Sequence, residues 1–344
     1  MPRKCYAGFT LALHWAGASL VLITMPTLTA NGIRIAFDTA GDAKSTPVLL
    51  LHGLGMQLTS WPDEFVDGLV ELGFYVIRFD HRDCGLSTKF DRAGKPNLVS
   101  NWLRRWLRGW LRGWLTSHLR LPARPVYRLD DMADDALGVL SALGIARAHL
   151  VGVSMGGMVA QILAARYPQR VLSLTSIMSS SGKRGLPGPA PAVRQALLAR
   201  PDDPNDVDAI IDTAVALQRT IGSPAYPTPE KQLRRRAARA LRRCYCPAGV
   251  ARQMAAIAAA PERGELLRAI QAPTLVIHGA ADPLVPLACG EDTAAQIPGA
   301  RLEVIQGMGH DLPAQLNERM LALIDANARG KMAASSTPRL FVRQ

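Results

Sequence analysis

The chain has 344 residues, of which 48 % are hydrophobic and 20 % charged. That balance excludes a wholly disordered protein, and the length provides for two domains, or one large α/β domain carrying an insertion. Forty Lys and Arg against 28 Asp and Glu leave a net charge of +12, which at face value points to nucleic acid or an anionic membrane. The charge is concentrated in two segments. Residues 99–128 hold seven Arg and no acid, and residues 231–252 hold eight basic residues and no acid. The rest of the chain is mildly acidic, so nucleic acid is not the expected partner.

Arg3 and Lys4 precede a mostly apolar run up to Met25. Residues 1–25 therefore read in three ways: upstream sequence before a start at Met25, a signal or membrane anchor, or a folded extension. The first reading goes with a cytoplasmic protein, the second with export or anchoring. The five Cys, at 5, 84, 244, 246 and 289, show no framework spacing. A lone Cys244-x-Cys246 without a second pair is not a zinc signature, so no metal site is expected.

From about residue 27 short apolar runs alternate with helical stretches. Residues 33–38 alternate as a strand behind an Asn31-Gly32 turn. Residues 47–52 form a continuous apolar run, as in a strand buried on both faces. Helical spacing follows over 61–72, and a strand over 74–79. Residues 101–120 form a tetrapeptide repeat, with Trp102, Trp106, Trp110 and Trp114 each followed by Leu. On a helix, Trp and Leu would share a broad face opposite Arg104, Arg108 and Arg112. That composition suits contact with an anionic membrane surface or a lipid substrate, but the favoured reading is a slipped-repeat expansion that packs on the body or stays partly disordered. Then come a helix over 129–143, a strand over 148–153, a helix over 155–167 and a strand over 171–178. Residues 183–263 contain no convincing strand and read as an inserted helical cap. Within it, Leu233, Ala237, Ala240 and Leu241 share one helix face and the Arg residues cover the rest, as in a solvated helix. A strand over 274–278, a helix over 289–297, a strand over 301–305 and a helix over 314–327 complete the pattern, before a frayed tail over 331–344. The fold class expected is α/β: a doubly wound, mostly parallel sheet, formed by 26–182 and 264–330, with the cap inserted between.

The most specific motif is Gly152-Val153-Ser154-Met155-Gly156, a G-x-S-x-G between a strand and a helix. A sharp strand-to-helix turn there would lift Ser154 clear of the backbone. A serine hydroxyl needs a general base. Among the seven His, His310 lies in the loop after the last strand, while His52 and His278 read as loop-shaping residues. The base in turn needs a carboxylate to fix its tautomer. Asp282, after the preceding strand, is placed for that, whereas Asp311 is too close in sequence to His310 to orient it. The order Ser154, Asp282, His310 fits the nucleophile-elbow pattern. The glycines of His52-Gly53-Leu54-Gly55 allow close backbone approach, so the backbone N–H groups of Leu54 and Met155 are the expected oxyanion donors.

With these motifs, and with Asn31–Ile35 written as Asn31-Gly32-Ile33-Arg34-Ile35, the loop from Asp80 to Ser87, 278–286 and 307–313, the chain from about 27 to 327 resembles the α/β-hydrolase superfamily. Within it, the chain is similar to capped serine hydrolases of the aclacinomycin methylesterase and proline iminopeptidase types. The resemblance implies a serine hydrolase acting on a small-molecule ester with no metal or organic cofactor, and a structural part for Arg82 and Asp83. A Ser nucleophile argues against the dehalogenase and epoxide hydrolase branches, which carry Asp there. An amide-cleaving aminopeptidase remains open, although the basic cap disfavours an ammonium substrate. So do a cofactor-free perhydrolase or C–C hydrolase, and an inactive binding protein on the same scaffold. Oligomeric state is not legible.

Overall fold

In the computed structural model the described residues are 25–94 and 125–330. The N-terminal stretch 1–24, the Trp-Leu-Arg repeat at 101–120 and the tail 331–344 lie outside them, together with the expectations placed on them. Eight strands form one sheet in the order β1 (Thr27–Ala30), β2 (Ile33–Ala40), β4 (Phe74–Phe79), β3 (Thr46–Leu51), β5 (Ala148–Val153), β6 (Val171–Ile177), β7 (Thr274–Gly279), β8 (Arg301–Ile305). The pairs from β4 to β8 are parallel, whereas β1–β2 and β2–β4 are antiparallel. Asn31 (φ 47°) and Gly32 (φ 73°) make the two-residue turn between β1 and β2. Both lie in the left-handed region that such a hairpin requires.

The sheet is doubly wound because its strands are apolar on both faces. Side chains alternate along a strand, so Leu49, Leu51, Ile77, Phe79 and Leu150 join one buried cluster. Val48, Leu50, Val76, Val151 and Val153 join the other. The first cluster is covered by α2 (Leu129–Ala142) and α3 (Met155–Arg166), and the second by α1 (Asp63–Glu71) and α10 (Asn317–Ala328). Helix α3 is buried nearly all round, as its run of Ala, Val, Ile and Leu dictates. At the start of α2 the Asp131 carboxylate accepts the Arg128 backbone N–H at 2.7 Å, capping the first turn.

Between β6 and β7 the described residues contribute only helices: α4 (Pro191–Leu198), α5 (Val207–Ile221), α6 (Glu230–Arg243), α7 (Pro247–Ala259) and α8 (Gly264–Arg268). Helix α9 (Leu287–Gln296) follows β7. No helix among the described residues is long and apolar enough to cross a membrane.

The inserted helices dock through apolar contacts, with Ala256 of α7 and Leu267 of α8 joining the first cluster, and through charge. Arg243 of α6 pairs with buried Asp80 at 2.7 Å. Arg252 of α7 forks onto buried Asp83, both bonds at 2.7 Å, and donates to the Gly94 carbonyl at 2.8 Å. Arg239 reaches Asp63, and Arg234 pairs with Asp212. The expectation of a solvated basic helix therefore needs correction. Leu233, Ala237 and Leu241 do share an apolar face, but the Arg243 side chain is buried against the body, and three of the seven basic groups of α6 pair with acids. A periodicity argument places an Arg off the apolar face; it cannot supply the acid waiting on another element.

Candidate active site

Parallel strands bring their carboxyl ends to one edge, where side chains on the following loops converge. Strand β3 leads into His52-Gly53-Leu54-Gly55, β5 into Ser154, β7 into Asp282 and β8 into His310. The register pairs Leu51 with Gly152 and Gly279 with Ile305.

Ser154 stands at the tip of the turn between β5 and α3, with φ 55° and ψ −118°. A non-glycine residue there is strained. The turn closes because its neighbours have no side chain. A Cβ on Gly156 would lie 2.1 Å from the Leu51 carbonyl oxygen, and one on Gly152 would lie 2.4 Å from that of Gly156. The Ser154 N–H donates to Ile177 O at 2.9 Å, and its carbonyl accepts from the Ser179 hydroxyl at 2.8 Å. The strained residue is thereby held at both ends.

Ser154 Oγ lies 3.0 Å from His310 Nε2, and His310 Nδ1 lies 2.7 Å from Asp282 Oδ2. A carboxylate can only accept, so Nδ1 carries the proton. Nε2 is then free to accept from the serine hydroxyl. The second Asp282 oxygen accepts the N–H groups of Leu284 and Val285 at 2.9 and 2.8 Å, which fixes the carboxylate plane. Asp282 and His310 are both buried. The structure thus brings together the three side chains singled out from the sequence, in a chain that can move a proton from Ser154 to His310.

His278 also borders Asp282, at 3.8 Å. Its Nε2 donates to Val285 O at 2.7 Å. Burial holds this imidazole below its ordinary range, so it shapes the Asp282 loop as a neutral group. His52 is shaped likewise. Its Nδ1 accepts the Gly53 N–H at 2.7 Å, and burial lowers its pKa to about 3.

The expected oxyanion donors flank the serine. A Cβ on Gly53 would meet Ser154 Cβ at 3.4 Å, so the loop bearing Leu54 passes directly beside Ser154. Met155 is the first residue of α3, and the leading N–H groups of a helix have no partner within it. The α3 N-terminus also offers its positive dipole end to an anion.

Residues that sequence reasoning missed frame this edge. Gln253 of α7 accepts the Gly55 N–H at 2.8 Å and donates to Arg82 O at 2.8 Å, holding the Leu54 loop from above. Asp311, set aside as an orienter of His310, makes no bond to its imidazole. It accepts from both the N–H and the hydroxyl of Ser223. Burial raises the Asp311 carboxyl above its ordinary range, opposed by the Ser223 bonds and by the nearby His310 and Arg236. Arg82 forks onto buried Asp135, both bonds at 2.6 Å, in a structural role.

Comparison with known proteins identifies the family. The profile of the alpha/beta hydrolase fold family matches residues 46–314. The chain belongs to that family and is a hydrolase. Rhodomycin D methylesterase DauP of Streptomyces sp. (strain C5) is 29 % identical over 89 % of this chain and 99 % of its own. Rhodomycin D methylesterase DnrP of Streptomyces peucetius is 29 % identical over the same shares. Among solved structures, a meta-cleavage product hydrolase from Pseudomonas fluorescens IP01 superposes with a TM-score of 0.66. It is 19 % identical and covers 89 % of this chain and 98 % of that one.

Proposed function

We propose that the protein hydrolyses a small-molecule carboxylic ester through an acyl-enzyme. Ser154 is the nucleophile, His310 the general base and acid, and Asp282 the group that orients the base. The observation that carries this reading is the continuous hydrogen-bonded chain Ser154–His310–Asp282, with spacings of 3.0 and 2.7 Å. Ser154 Oγ attacks the carbonyl carbon as its proton passes to His310 Nε2. The N–H groups of Leu54 and Met155 hold the oxygen that gains the negative charge. Collapse of the intermediate breaks the bond to the alcohol, which leaves with the proton from His310. Water then attacks the acyl group, gives its proton to His310, and the acid departs as Ser154 regains it. None of these steps calls for a metal or cofactor.

A methyl ester is the favoured substrate, with methanol as the leaving group, since the two methylesterase relatives align over nearly their whole length. The helices between β6 and β7 act as a cap that limits substrate size. The basic insertion was an argument against an aminopeptidase, but it weakens once Arg243 and Arg252 are seen to be neutralised by Asp80 and Asp83. The test is a fluorophosphonate probe followed by a panel of methyl and p-nitrophenyl esters beside prolyl and other aminoacyl amides. Labelling of wild type but not of Ser154→Ala, with turnover of esters, supports the reading. Turnover of amides alone makes it a peptidase, and no labelling of either protein leaves an inactive binding protein.

A further inference from the structure

The base is held from two directions. Its imidazole is fixed by the body, through Asp282 and Ser154. Its backbone is fixed by the insertion, through the five residues where α5 ends. His310 N donates to Ile221 O at 2.7 Å, and Ala225 N donates to Gly307 O at 3.2 Å. Gly309 presses so closely on this segment that a Cβ there would lie 2.4 Å from Gly222 O. At the centre is Ser223, 3 % exposed. Its hydroxyl accepts the Gly309 N–H at 2.9 Å and donates to Asp311 Oδ1 at 2.5 Å, and its own N–H donates to the same oxygen at 3.0 Å. One side chain therefore grips the residue before the base and the residue after it.

We propose that Ser223 and Asp311 are positioning residues for catalysis: a latch on the inserted helices that sets the backbone of His310 and hence the reach of its Nε2 to Ser154. The inference rests on His310 being the base. The physical reason is tolerance. A shift of about 1 Å in a reacting group can cost on the order of 10²-fold in rate, and the Asp282 bond alone leaves the imidazole free to pivot about that contact. Ser223 removes the pivot by bracketing the backbone on both sides. Asp311 acts through its accepting oxygen, since both of its bonds from Ser223 end on one atom. The latch thus ties the state of the insertion to the chemistry of the edge beneath it.

The experiment measures kcat and KM for p-nitrophenyl acetate, and the second-order rate of fluorophosphonate labelling, in the full chain. The proteins are wild type, Ser223→Ala, Asp311→Ala, Asp311→Asn and Arg239→Ala. Arg239 is a control, an exposed contact between another helix of the insertion, α6, and Asp63. Thermal melts report folding. The latch predicts that Ser223→Ala and Asp311→Ala each lower kcat and labelling about 10- to 100-fold, with KM within about twofold. Asp311→Asn, whose amide oxygen still accepts from Ser223, recovers most of the rate, and Arg239→Ala stays within about twofold of wild type. Rates within twofold of wild type for both alanine variants overturn the latch, as does an Asp311→Asn as slow as Asp311→Ala. If Ser223→Ala does not fold, the Asp311 pair decides alone. A wild type inert to probe and ester removes the ester hydrolase reading and the latch with it, whereas an active wild type with unaffected variants removes the latch alone.

Discussion

The sheet and the inserted helices are held by different balances of apolar packing and charge. Each face of the sheet is covered by a broad apolar cluster in which Leu, Ile, Val and Phe interlock, and burying each such side chain contributes about 1.5–3 kcal/mol. The insertion has a small apolar centre of its own, built on Ile211, Val215 and Leu233. It meets the body through Ala256 and Leu267, which join the first sheet cluster, and also through Arg243–Asp80, Arg252–Asp83, and the amides of Gln57 and Gln253. Apolar packing is tolerant of partner and fixes position by shape. Forked ion pairs and amide bonds fix orientation residue by residue, but lose most of their worth when one partner goes. The loop from Asp80 to Ser87 is a socket built for that second kind of contact.

The comparison can be broken from either side. The largest effect expected is on chemistry: Ser154→Ala should lower kcat by about 10⁴-fold or more while leaving the thermal midpoint near wild type. A large fall in stability would mean that the site, and not the body, carries the fold. Next, Arg252→Met should strand the buried Asp83 charge and cost about 3–5 kcal/mol by urea unfolding. Stability within 1 kcal/mol of wild type would show that the apolar contacts of α7 and α8, and not the ion pair, hold the insertion in place.

Acid should unfold the body through its buried imidazoles. Burial lowers His81 and His149 to about 4 and His52 to about 3, from an ordinary 6.5. The unfolded chain takes up these protons near pH 6.5 and the folded chain only near 4 or below. Between those values stability rises with pH, and it is lost as pH falls through the window. The slope should be on the order of 1 kcal/mol per pH unit for each histidine. His149→Gln, which can keep the contact to Ser173, should flatten it by one histidine's share, on the order of 1 kcal/mol per pH unit across pH 6 to 4. An unchanged slope would place the acid sensitivity elsewhere. The smallest effect is reserved for Arg239→Ala, an exposed pair worth about 1 kcal/mol or less.

The same division decides what could be read from the sequence. Residues 74–79, 148–153 and 301–305 form strands with the limits their apolar runs suggested. Ser154, Asp282 and His310 converge because each follows a parallel strand. Their contact is a consequence of topology, and topology was visible in the alternation of strand and helix. Strand β1, ahead of the Asn31-Gly32 turn, was not read as a strand, since a four-residue run with alternating exposure is too short to announce itself. The docking contacts were hidden for a different reason. Arg252 and Asp83 are 169 residues apart, and Ser223 and Asp311 are 88 apart. Nothing local marks an Arg on an amphipathic helix as one that will be buried, or a Ser after a helix as one that will grip a distant loop.

The backbone of Ser154 carries a further consequence. Its φ of 55° and ψ of −118° suit a glycine better than any residue with a side chain, so the protein sits above the energy its own fold could reach. Ser154→Gly should relax that residue and raise stability on the order of 1 kcal/mol, where Ser154→Ala cannot. A screen that selected for thermal tolerance alone would therefore tend to discard the nucleophile. Retaining a serine at this position is a standing compromise between durability and turnover, and only selection for activity would keep it there.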